Sequence, residues 1–141
     1  MVAPEQPQLL GLDVPELAQR RRQRTSLSVL QLTRWANRQI GVIARITGTG
    51  RNSEGFLLAQ AVKLSEEVGE LHAEILGHLR MQRSDKTKAF STEALAGELA
   101  DVVMCAAVLS QVLGVDLNDA LQNKMDTVER RMAALDIRSS G

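Results

Sequence analysis

Four stretches of the chain repeat apolar residues every three or four positions, the interval at which an α-helix returns to one face. The first follows Ser26 or Ser28 as helix-capping residue and carries Leu27, Leu30, Leu32, Trp35, Ile40, Val42, Ile43 and Ile46 as candidate buried positions. It is predicted to run to about Thr47, where Gly48-Thr49-Gly50-Arg51-Asn52-Ser53 breaks it. The second is predicted from about Glu54 to Met81, with Leu57, Ala61, Leu64, Val68, Leu71, Ile75 and Leu79 spaced by alternating fours and threes. A polar loop, Gln82 to Ser91, separates it from a third helix that Ser91 or Thr92 can cap and Gly114 ends. The third helix places Leu95, Leu99, Val102, Ala106, Leu109 and Leu113 on one stripe. Asp116 then caps a fourth, from Leu117 to about Leu135, bearing Leu121, Met125, Val128 and Met132. The pattern predicts an all-α fold of the four-helix-bundle type. Between Val102 and Val108 the third helix is apolar nearly all round. Such a helix must be surrounded, so the bundle is expected to be completed by dimerisation.

Length and composition narrow this picture. With 141 residues the chain is read as one domain, residues 26–136, preceded by a tail, 1–25, and followed by a frayed end, 137–141. The tail holds all three prolines, and Asp13, Pro15 and Glu16 could start one short helix there. The 17 basic and 17 acidic side chains cancel, which removes any global field for nucleic acid or an anionic membrane. The run Arg20-Arg21-Arg22-Gln23-Arg24 is read as solvated, and no nucleic-acid partner is expected. Cys105 is the only cysteine and sits in an apolar run, as suits a reducing compartment. The first residues lack the basic start and apolar stretch of a signal peptide, and no run of about 18 apolar residues occurs. The expected location is therefore cytoplasmic, with no membrane partner.

Local charge is what stands out. On the second helix Lys63, Glu67, Glu70 and Glu74 fall within a narrow arc at about 100° per residue, and Glu66 lies at its edge. On the third, Glu98 and Asp101 are three apart and share a face. Both acidic faces adjoin positions that must be buried, so they are expected to meet inside the bundle. Two carboxylates about 4 Å apart repel by about 1 kcal/mol in water and by several times that in a protein, so such a cluster needs a cation or raised pKa values. An all-oxygen set suits Mg²⁺, with Mn²⁺ as an alternative. Gly69, in mid-helix, suggests that something packs close to it. His72 and His78 lack the Glu-x-x-His offsets of a di-iron bundle and are read as surface or interface residues. Gly48 and Gly50 are too few and wrongly spaced for a phosphate-cradling loop.

The phrases Glu66-Glu67-x-x-Glu70 and Glu98-x-x-Asp101, with Val115-Asp116-Leu117, Ala120-Leu121 and Lys124-Met125-Asp126 after them, resemble the MazG-like all-α nucleoside triphosphate pyrophosphohydrolases, especially their small dCTPase-type branch. The likeness covers about residues 55 to 132. It implies that Glu67, Glu70, Glu98 and Asp101 ligate Mg²⁺ and that Glu66 orients or deprotonates the attacking water. It further implies a homodimer or dimer of dimers that cleaves between the α and β phosphates of a nucleotide, releasing pyrophosphate. The chain departs from the family in offering only Trp35, Phe56 and Phe90 as aromatics, and in having Arg130-Arg131-Met132 where some members carry an Asn and a Tyr-Pro. Hydrolysis also requires cations on the phosphates. Lys124 is the first candidate, followed by Arg130 or Arg131, with Lys86 and Lys88 able to close from the loop; Trp35 is a candidate to stack on a base. The alternative is a non-catalytic nucleotide- or partner-binding bundle with a regulatory cation site.

Overall fold

The computed structural model describes residues 26–79 and 91–139, which form four helices: α1 (Val29–Thr47), α2 (Glu54–His78), α3 (Thr92–Val112) and α4 (Leu117–Ser139). The tail 1–25 with Arg20 to Arg24, and the loop residues Lys86, Lys88 and Phe90, lie outside the described residues.

Each helix begins where a short polar side chain satisfies the otherwise unpaired N–H groups of a first turn. Ser28 and Gln31 form a reciprocal capping box at α1: the Gln31 N–H donates to Ser28 Oγ over 3.2 Å and the Ser28 N–H donates to Gln31 Oε1 over 2.8 Å. The Phe56 N–H donates to Ser53 Oγ at the start of α2, and the Ala94 N–H to Ser91 Oγ at the start of α3. At α4 the Asp119 N–H donates to Asp116 Oδ1. Gly48 and Gly114 end α1 and α3 with φ of 66° and 67°, the left-handed region in which a Cβ is strained. The backbone of α4 continues to Ser139, past the expected end near Leu135, because no glycine or proline interrupts it after Asp116.

The largest packing surface lies between α2 and α3; α1 packs on α3, and α4 packs lightly on α1. The helices α2 and α3 run antiparallel, since Glu67 meets Glu98 and Asp101 while Phe56, earlier in α2, joins Ala107 and Val108, later in α3, in the core. Ala36, Ile40, Phe56, Ala107 and Val108 form the buried core, with Leu32, Trp35, Ile43, Ala44, Val112 and Leu117 packed around it. The core sits where α1 packs on the second half of α3, with Phe56 from the start of α2 reaching into it. Of the positions expected to be buried on α1, Ile40 is buried and Leu32, Trp35 and Ile43 half-buried, but Leu27, Leu30, Val42 and Ile46 are exposed. More apolar residues occupy α1 than one helix face can hold, and the core takes the arc around Ala36 and Ile40. By length and composition α3 is apolar enough to cross a bilayer, although acidic residues interrupt its apolar run; in this fold it lies along α2, with Glu98 and Asp101 beside Glu67.

Candidate metal centre and active site

The centre is built midway along the α2–α3 pair. Carboxylate oxygens of Glu67, Glu98 and Asp101 all lie within 4.8 Å of one another, a grouping able to hold a metal ion. Glu67 is buried, Glu98 half-buried and Asp101 exposed, so the cluster grades from the helix interface to solvent. Glu98 Oε2 is buried with no hydrogen-bond partner. A carboxylate oxygen in that state costs several kcal/mol unless a proton or cation reaches it. Three hard oxygen donors, one of them buried and unpartnered, fit a divalent cation of the Mg²⁺ or Mn²⁺ type.

Glu70 stands one turn beyond Glu67 and outside the group of three, yet it belongs to the same field. Repulsion from Glu67 comes first, then desolvation and repulsion from Glu98, and together they raise its carboxyl above the ordinary range. Burial, followed by Glu67, pushes the Cys105 thiol up, which places this side chain beside the centre as a neutral neighbour. Glu66 is exposed at the rim.

Lys63, on the same arc of α2, is the residue to which sequence reasoning gave no role. Its ammonium donates to Glu66 Oε2 over 3.1 Å and lies 2.6 Å from Glu67 Oε1. Those hydrogen bonds, to Glu67 first and Glu66 second, hold the lysine well above its usual pKa and fully charged. The signal was present in the i, i+3 and i, i+4 offsets, which put a cation beside both glutamates.

The charged neighbours acting on Glu70 and Cys105 all come from α2 and α3. Lys124 and Arg130 are exposed on α4, where Arg130 Nη2 donates to Thr127 Oγ1 over 3.4 Å. Trp35 is half-buried against the core and lines a cleft of about 540 Å³ with Leu27, Gln31, Leu32, Arg34, Arg38 and Met104. Met104 follows Asp101 by one turn of α3, and no carboxylate of the acidic group lines the cleft. The close packing expected at Gly69 is not found among the described residues: a Cβ there would meet nothing within 4 Å. By helical spacing Gly69 lies on the side of α2 opposite Glu67, which the described residues leave uncovered.

A helical pair that concentrates carboxylates around a cation-sized space defines the protein as an all-α, acidic-centred bundle. The sequence model of the MazG nucleotide pyrophosphohydrolase domain matches residues 58–134, which take in most of α2, all of α3 and most of α4, and the chain belongs to this family. No curated protein and no solved structure matches the chain.

Proposed function

We propose that the protein hydrolyses a nucleoside triphosphate, a deoxynucleoside triphosphate included, to the monophosphate and pyrophosphate, with Mg²⁺ held by Glu67, Glu98 and Asp101 and supported by Glu70. The observation that carries this reading is the unpartnered Glu98 Oε2 inside a three-carboxylate cluster of a MazG-family domain. A divalent cation bound there would neutralise the phosphate oxygens and orient the chain for attack.

The protein's own groups do the rest. Glu66, at the rim of the centre, holds a water by hydrogen bond and accepts its proton as the oxygen adds to the α phosphorus. The bond from that phosphorus to the oxygen bridging the β phosphate breaks, and pyrophosphate leaves with that oxygen. Trp35 and the cleft it shares with Met104 offer an apolar slot for the base one helical turn from Asp101. Lys124 and Arg130 are the proposed phosphate clamps of α4, with Lys86 and Lys88 from the loop. The proposed active form is a homodimer or dimer of dimers, and the unpaired Cys105 suits a cytoplasmic setting.

The test is product analysis in ¹⁸O-labelled water across a nucleotide panel with Mg²⁺. Label in the monophosphate and release of pyrophosphate are expected, and Glu66→Gln should bind metal and nucleotide while turnover falls by about 10² or more. Label in orthophosphate, with diphosphate as the other product, would reject attack at the α phosphorus. Nucleotide binding with no turnover at any metal concentration would instead identify a binding protein.

A further inference from the structure

We propose that Lys63 is a tethered cation that occupies the acidic centre of the metal-free protein, and that a divalent cation displaces it toward the phosphate chain of the substrate. The proposal rests on the reading of Glu67, Glu98 and Asp101 as metal ligands.

Three observations converge on it. The ammonium sits 2.6 Å from Glu67 Oε1, so it holds one of the two oxygens that Glu67 can offer a metal. The Glu67 side chain is only 8% exposed whereas that of Lys63 is 47% exposed. Glu67 therefore cannot turn to water for compensation, while the lysine can swing away without losing packing. Finally, the same ammonium donates to Glu66 Oε2 over 3.1 Å, so one cation holds both a proposed metal ligand and the carboxylate assigned to the water.

A small, hard cation binds carboxylate oxygens at about 2.0–2.1 Å and leaves no room for an ammonium on the same lone pairs. Lysine is a compact charge on a flexible stem of four carbons, so it can move while its backbone stays in the helix. Displaced from Glu67 it also releases Glu66, the group assigned to the water, and the nearest new anion is the polyphosphate. Binding of metal would thus convert Lys63 from a placeholder into a phosphate contact and free the general base in one step.

Calorimetric titration of Mg²⁺ without nucleotide, then of inorganic tripolyphosphate into the Mg²⁺-loaded protein, tests this in the wild type, Lys63→Met and Lys63→Arg. Lys63→Met should bind Mg²⁺ about tenfold more tightly, melt at a lower temperature without metal, and bind tripolyphosphate about tenfold more weakly. Lys63→Arg should restore metal-free stability and much of the tripolyphosphate affinity. Unchanged or weaker Mg²⁺ binding in Lys63→Met, or unchanged tripolyphosphate binding, would overturn the exchange and leave the metal site standing. A wild-type protein that takes up no Mg²⁺ would overturn the metal reading itself, and this proposal with it.

Discussion

Replacing Glu98 by glutamine keeps the volume of the side chain while removing one charge from a cluster whose oxygens lie within 4.8 Å of one another. In the metal-free protein that change relieves repulsion and gives the buried Oε2 position a group that needs no cation, so the melting temperature should rise. Asp101→Asn should act in the same direction, more weakly because Asp101 is exposed. Glu67→Gln differs: it relieves repulsion on Glu70 but gives up the bridge to Lys63, so little net gain is expected. All three should abolish Mg²⁺-dependent turnover and the stabilisation that Mg²⁺ confers. Differential scanning calorimetry with and without Mg²⁺, beside a turnover assay, checks the set. Full activity in two of the three would mean that the metal is held elsewhere.

Among the elements, α3 carries the two acidic residues Glu98 and Asp101 and starts from a single cap. It starts at Thr92, just after the segment outside the described residues, and Ser91 Oγ accepts the Ala94 N–H over 3.0 Å to hold its first turn. Ser91→Ala should cost about 1 kcal/mol, a fall of about 4 °C in melting temperature followed by circular dichroism, with Mg²⁺ restoring part of it. No change would mean that the loop before Ser91, not the cap, positions Glu98. Signals of this kind are what the sequence made legible. Asp116, Gly48 and Gly114 end or start helices as expected; Ser28 and Ser91 resolve the choices Ser26 or Ser28 and Ser91 or Thr92, and Ser53 caps α2 from within the break. The acidic arcs were legible from helical spacing, and Glu67, Glu98 and Asp101 meet as their helix faces required. What spacing could not give was tertiary choice. It offered eight candidate buried positions on the first helix and could not say that Leu27, Leu30, Val42 and Ile46 would be the ones left exposed. It marked Gly69 as a close approach but not the side from which anything would come, and it placed Lys63 beside Glu67 without revealing that the two would pair.

At the scale of the molecule, the apolar surface left open is the feature that asks for a second copy. In α4, Leu121, Met125, Val128, Met132 and Leu135 form one stripe at helical spacing, and all are exposed. Leu99 and Val103 of α3, one turn apart on one face, are 54% and 48% exposed. Along the outer side of α2, Leu58, Val62, Ser65, Gly69 and Leu76 repeat by fours and threes, with Gly69 open to a close neighbour. Three stripes that are exposed among the described residues exceed what a monomer ordinarily shows, and at about 25 cal/mol per Å² a standard interface of about 1,600 Å² would make their burial strongly favourable before association costs. Light scattering at micromolar concentration should therefore give the mass of two or four subunits. Met125→Glu and Val103→Glu should lower it, each by placing a charge in an apolar contact. Gly69→Leu separates the stripes: within one subunit the new side chain has open space and a better helix former, so it should stabilise a monomer, whereas a helix packed at Gly69 would be pushed away. A wild-type protein with the mass of one subunit would remove the dimer from the proposed function and leave the acidic centre to work within a single chain.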